Sequence, residues 1–333
     1  MTGVQRYAKE IINAFDSIAT VGEIALVLPK GDWHVPNYTK IRVVEVSPLK
    51  GILWEQVTFP LYVMMKRGAC LNLCNVAPLL TPGYSTIHDL KILSNPNFFG
   101  LKFRTWYKLL FANQTRRCKA IFTVSEQVKK DLIKYYPSLL PQNVIVAPDA
   151  WQHYERIDYD NKALSKYGVV RGQYFFAMGS LEPNKNFRWI AELAKRNPKE
   201  MFVVAGSLNP KVFKEGLGFD LPQNMRLLGY VSDEEAKTLM KDAKAFLFPS
   251  FTEGFGMPPL EALSAGVPRI IVSDIPVMHE IFRNNAIYIN PSHYDYDLTK
   301  LLSNSLCDAE DVLKRFSWVE SAKIIISVLR NRG

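Results

Sequence analysis

The sequence predicts an α/β protein of two doubly wound domains, and three observations carry that expectation. Short β-like apolar runs alternate with helical patterns along the whole chain. The alternation breaks near the middle, at a charged stretch, and then starts afresh. A chain of 333 residues is also longer than one hydrophobic core ordinarily serves. Two such domains facing each other across a cleft would hold ligands at the carboxyl ends of their strands.

In the first half the strand-like runs are 23–28, 41–46, 69–73, 84–87, 120–124 and 143–146. Each is short and rich in β-branched or aromatic residues. Apolar residues at helical spacing predict helices over 4–18, 98–117 and 126–135. The stretch 151–172 carries Glu155, Arg156, Asp158, Asp160, Lys162, Lys166 and Arg171 with little apolar periodicity, and reads as the linker. Beyond it, strands are expected over 174–178, 201–205, 225–228, 245–249 and 269–272, and helices over 186–196, 233–241 and 260–265. Ser232 with Glu235 fits a capping box at the start of the 233–241 helix.

Composition narrows the function classes. Hydrophobic residues make up 48% and charged residues 22%, which is ordinary for a globular protein. No apolar run approaches the ~18 residues that span a bilayer. The start lacks the basic–apolar–small pattern of a secretory signal, so a cytoplasmic setting is the expectation. Cys70, Cys74, Cys118 and Cys307 form no disulfide or zinc pattern. Cys70 and Cys74 are spaced C-x3-C, but their apolar flanks read as buried thiols on a strand.

The net charge of +9 is uneven. Residues 90–125 hold no acidic side chain; Lys91, Lys102, Arg104, Lys108, Arg116, Arg117 and Lys119 interleave there with Phe98, Phe99, Phe103, Trp106, Tyr107 and Phe111. The region 91–119 suits an anionic membrane surface or a polyanionic substrate. A solvated basic face with core-facing aromatics fits equally. No nucleic-acid motif is present, so no such partner is expected.

The most informative segment is 246–262. A buried strand runs to Pro249, a loop with Gly254 and Gly256 follows, and a helix opens at Pro258 and Pro259. Proline suits a first helical turn. The helix start offers free N–H groups and a positive dipole end, which suit a diphosphate. Both glycines let backbone approach a ligand. Glu253 and Glu261 flank this turn and can hold hydroxyls at both ends of a nucleotide sugar.

The segment from Glu253 to Glu261 resembles the E-x7-E signature of the retaining GT-B glycosyltransferases of family 4. Gly179-Ser180-Leu181-Glu182-Pro183-Asn184-Lys185-Asn186 is similar to that family's opening motif of the second domain. Gly229-Tyr230-Val231-Ser232-Asp233 resembles the turn beside the base, and Ile87-His88-Asp89-Leu90 a first-domain motif. Thr2-Gly3-Val4-Gln5 resembles the family's glycine loop, and Phe316-Ser317-Trp318 the return to the first domain.

The resemblance implies domains at 1–165 and 166–316, with a C-terminal helix 317–333 joining the first. It implies that Glu261 binds the ribose, Glu253 contacts the donor sugar, Lys185 neutralises the diphosphate, and His88 contacts donor sugar or acceptor. Gly3, Ser180, Tyr230, Val231, Gly254, Phe255, Gly256 and Met257 would complete the donor site. It implies no metal and no cofactor beyond the nucleotide-sugar substrate, with GDP-mannose favoured, and a glycan or lipid-linked glycan acceptor. Asp158-Tyr159-Asp160 and Asp295-Tyr296-Asp297 both read D-x-D, but lie in polar stretches unlike a metal-carrying strand end. Retention by front-face attack is expected, the diphosphate taking the acceptor's proton.

The chain departs from the pattern at Ser180, where many members carry arginine, and at Asn184, where a base is frequent. The strand that usually precedes the glycine loop is missing, so a weakened first domain is expected. A non-catalytic sugar-nucleotide-binding protein and a GT-B epimerase remain the alternatives.

Overall fold

A computed structural model describes residues 2–206, 220–303 and 308–332. It divides into two compact units, Met1–Asp149 with Ser317–Gly333, and Ala150–Phe316.

The first unit contains β1 (Ala25–Leu28) paired with β2 (Arg42–Glu45), and a separate sheet of β3 (Leu71–Asn72), β4 (Tyr84–Ile87), β5 (Ala120–Thr123) and β6 (Val144–Val146) in that order. All pairs are parallel. Strands β4 and β5 are wholly buried, in register from Tyr84 opposite Ala120 to Ile87 opposite Thr123. Among the described residues, β1 pairs only with β2 and β3 only with β4. The stretch read as a glycine loop starts the Gly3–Ile18 helix directly, where Thr2 and Gln5 form a reciprocal capping box. That helix packs on the Trp318–Arg332 helix, with the Tyr7 and Trp318 rings 5.8 Å apart. Ser321 Oγ donates to Pro148 O at 2.7 Å.

Residues 51–66 form a helical run the periodicity did not announce. Gly51–Leu53 leads into a wide π turn, Trp54–Thr58, and then Phe59–Lys66. Pro60 has no N–H to donate and its ring crowds the preceding turn, and the Phe59 amide reaches back to Trp54 O.

The second unit contains one parallel sheet of six strands. They are β7 (Tyr174–Met178), β8 (Met201–Ala205), β9 (Met225–Gly229), β10 (Ala245–Phe248), β11 (Ile270–Ser273) and β12 (Ile287–Ile289), ordered β9-β8-β7-β10-β11-β12. Its core packs Phe175 on Phe202, with rings stacked at 5.1 Å, beside the fully buried Trp189, Leu193 and Ile190. Trp189 Nε1 donates to His293 O at 2.6 Å, so its one polar atom is satisfied.

The stretch read as a linker is folded onto this unit. Gln152–Arg156 forms a 3-10 turn and Ala163–Tyr167 a short helix ended by Gly168 at φ 62. The buried Lys237 Nζ donates to Tyr154 O and Ile157 O, both at 2.6 Å. Trp151 Nε1 and Gln152 Nε2 donate to Leu313 O and Phe316 O, both at 2.8 Å. Polar anchoring of this kind leaves no apolar period to read.

Candidate active site

Strand order in the second unit reverses between β7 and β10, where open α/β sheets bind ligands beyond the strand ends. The loops leaving these two strands are 179–186 and 249–256, and they are laced together. Phe251 N donates to Asn184 O at 2.9 Å. Asn184 Nδ2 donates to Thr252 O at 2.8 Å, and Asn184 Oδ1 accepts from Thr252 N at 3.2 Å and Oγ1 at 3.0 Å. Asn186, left-handed at φ 54, donates to Pro249 O at 3.1 Å and Pro291 O at 2.8 Å. Asn184, noted from sequence as a lost base, is a buried clamp between the loops.

The clamp sets one side chain from each loop against the other. Lys185 Nζ lies 2.6 Å from Glu253 Oε1 and 5.0 Å from the Phe248 ring centroid. Both side chains keep some exposure, 16% and 14%, so the pair is reachable from solvent. Backbone shape demands glycine nearby: a Cβ on Gly206 would stand 1.7 Å from Gly179 O.

The β10 loop runs into the Met257–Ala265 helix. Gly256 holds φ 104, and a Cβ there would meet Met278 Cε at 2.6 Å. Pro258 and Pro259 carry no N–H, so the amides of Gly256 and Met257 are the donors at the helix start. Phe255 and Met257 are buried, Phe255 edge-on to Phe316 at 5.1 Å, so only their main chain can face a ligand. Gly254 is also buried. Glu261 lies in the helix, buried, with Oε1 2.9 Å from His153 Nε2. Sequence reading passed over His153, whose only signal was its place in a charged stretch.

The other predicted donor residues divide. Ser180 is half-buried and its carbonyl accepts from the Glu182 amide at 2.7 Å. Tyr230 is 75% exposed, while Val231 is buried behind the left-handed Gly229. Ser232 and Glu235 form the expected capping box, and Glu235 also accepts from Lys166 and Tyr167.

Gly3 and His88 belong to the first unit, Gly3 as the first residue of its helix. His88 follows β4, is buried, and stands edge-on to Tyr7 at 4.8 Å. Its Nε2 is 2.8 Å from Leu73 O, an acceptor only, so the proton sits on Nε2. Burial lowers its pKa below the ordinary value, against the opposing Leu73 bond, and favours neutral imidazole.

In each D-x-D stretch the second aspartate has a local backbone role. Asp297 caps the Leu298–Leu302 helix, and Asp160 Oδ1 accepts from Lys162 N at 2.8 Å. Of the two thiols read as buried on a strand, Cys70 is buried just before β3, whereas Cys74 lies beyond β3 and is exposed. Burial pushes the Cys70 thiol to about 11 and Cys118 to about 12, which keeps both protonated. Cys307 lies outside the described residues.

The family profile described as "Glycosyl transferases group 1" matches residues 166–321. The chain is 29% identical to the O-antigen chain mannosyltransferase RfbU of Salmonella typhimurium over 87% of this chain and 83% of that protein. It is 30% identical to the glycosyltransferase MJ1607 of Methanocaldococcus jannaschii over 75% of this chain and 69% of that protein. Anabaena Alr3699/HepE, solved in complex with UDP-glucose, superposes with a TM-score of 0.71 over 99% of this chain and 96% of that one, at 15% identity.

Proposed function

The chain belongs to the group 1 glycosyltransferases and has the GT-B fold; from that premise we propose that it moves a mannosyl group, with retention, from GDP-mannose to a lipid-linked or surface polysaccharide acceptor. The observation that carries the reading is the pairing of Lys185 with Glu253 at 2.6 Å where the strand order reverses. A cation held there by a carboxylate meets the charge that develops on a departing diphosphate. The helix-start amides of Gly256 and Met257 supply further stabilisation. Glu261 takes the ribose hydroxyls, and His88 contacts the donor sugar or acceptor.

In the step we favour, the bond from the anomeric carbon to the diphosphate oxygen breaks. The acceptor oxygen bonds that carbon from the same face, and its proton passes to the diphosphate. Mannose is chosen because the similarity to RfbU runs over most of both chains.

A lipid-borne acceptor fits the first unit's surface. No helix among the described residues is long and apolar enough to cross a membrane. Yet Leu53, Met65 and Leu101 are 62%, 80% and 74% exposed, beside Lys66, Arg67, Lys102 and Lys108. Apolar side chains among cations suit an anionic bilayer surface, here assigned to the cytoplasmic face.

The test is calorimetric titration of GDP-mannose, UDP-glucose, UDP-galactose and dTDP-rhamnose into this chain and into Glu261→Ala, followed by transfer to a lipid-linked glycan. GDP-mannose is expected to bind, to lose affinity in the variant, and to be turned over. Turnover of a UDP- or dTDP-sugar instead would replace the donor. Binding without turnover of any donor would leave a sugar-nucleotide-binding protein.

A further inference from the structure

We infer that His153 is a positioning residue that orients Glu261 toward the donor's ribose. The inference rests on reading Glu261 as the ribose-binding carboxylate and adds a residue that no family motif supplied.

Glu261 and His153 side chains are 5% and 3% exposed. A carboxylate buried to that degree needs a hydrogen-bonding partner. His153 Nε2 lies 2.9 Å from Oε1. Fixing Oε1 fixes the carboxylate plane, and with it the direction in which Oε2 accepts.

His153 itself is held on both sides. The two residues before it donate their side-chain N–H groups to Leu313 O and Phe316 O. The carbonyl of Tyr154, immediately after it, accepts from Lys237 Nζ. The Tyr154 ring stands edge-on to the imidazole at 5.2 Å, and Tyr154 Oη reaches Met240 Sδ at 3.7 Å. A partner locked by main-chain anchors restricts the carboxylate it touches, which is how supporting groups tune a binding residue.

The test uses the full chain, with His153→Phe, which fills the volume without an N–H, and His153→Gln, which keeps a donor. GDP and 2′,3′-dideoxy-GDP are titrated calorimetrically into wild type, both variants and Glu261→Ala, and UDP with its dideoxy analogue serves where GDP does not bind. Wild type is expected to prefer the ribonucleotide about 10- to 100-fold, the worth of a charged hydrogen bond. Glu261→Ala should abolish that preference. His153→Phe should cut it about tenfold, and His153→Gln should restore most of it. A purely structural histidine would change melting temperature without changing the ratio between the two nucleotides. Full preference in His153→Phe, with preference lost in Glu261→Ala, would overturn the positioning role alone. Preference surviving in Glu261→Ala would overturn the ribose assignment beneath it. Should His153→Phe not fold, His153→Asn, too short to reach Oε1, gives the same reading.

Discussion

The two units handle the same architecture differently. The second closes its parallel sheet into six continuous strands, while the first splits its strands into a pair and a set of four. In the second, both loops at the reversal of strand order are tied by Asn184 and Asn186. In the first, β1 and β3 each pair on one side among the described residues, and large apolar side chains stand in solvent on the 51–66 run and the Leu101–Arg117 helix. An unpaired edge presents N–H and C=O groups that only water or another strand can satisfy. The second unit has the same kind of edges at β9 and β12, so what sets it apart is the pair of loops tied at its centre, between β7 and β10.

The contrast is sharpest in stability. Trp189→Ala empties a fully buried site in the second unit and should cost about 3–5 kcal/mol. Leu53→Ser, at an exposed site in the first, should change stability by no more than about 0.5 kcal/mol. Denaturant titration with tryptophan fluorescence checks both, and equal costs would erase the distinction.

Chemistry should follow the same division. Lys185→Ala should lower the rate of transfer about 10²- to 10³-fold, the usual effect of removing one charge-stabilising group. Its melting temperature should stay near that of wild type, because the side chain is partly exposed and its loop is held by Asn184. A variant that transfers at the wild-type rate would move the stabilising cation elsewhere.

A smaller effect concerns the membrane. Replacing both Leu53 and Met65 by Ser should weaken binding to vesicles of one-third anionic lipid about tenfold, since each side chain would lose a share of its apolar burial. Unchanged flotation of the double variant would free this surface of that role.

The smallest effect is an acid dependence in the first unit. The Asp16 carboxyl accepts from the amides of Thr39, Lys40 and Ile41, and the Thr39 amide foremost holds it down at about 2. Glu23, paired with Arg330, is likewise held at about 2. A depressed carboxyl adds stability above its ordinary value of 3.8 and loses it as pH falls toward about 2. Wild type should therefore melt above Asp16→Asn at neutral pH, and the two should converge between pH 4 and 2. A gap that persists at low pH would assign the effect to shape rather than charge.

Part of this was legible in the residues. Strands such as Tyr174–Met178 and Tyr84–Ile87 are short apolar runs between turn residues, and they appear where the pattern places them. The Ser232–Glu235 box is a local signal and forms as read. Other features gave no local signal. The 51–66 run is apolar on nearly all sides, with Leu53, Leu61, Met64 and Met65 facing solvent, so no amphipathic stripe marks it. The basic aromatic helix over 101–117 buries Leu110 and Phe111 but leaves Phe103 and Leu109 exposed, a division that spacing alone could not make.

By itself the sequence determined the alternation of strand and helix, the two-unit plan, and the glycine, proline and glutamate pattern that folds at the end of β10. These are properties of neighbours along the chain, where side-chain period and backbone preference act directly. Only the tertiary structure decided that Asn184 clamps a loop 68 positions away and that His153 meets Glu261 across 108. Such contacts join a polar side chain to a partner brought near by folding, and no periodicity along the chain encodes them.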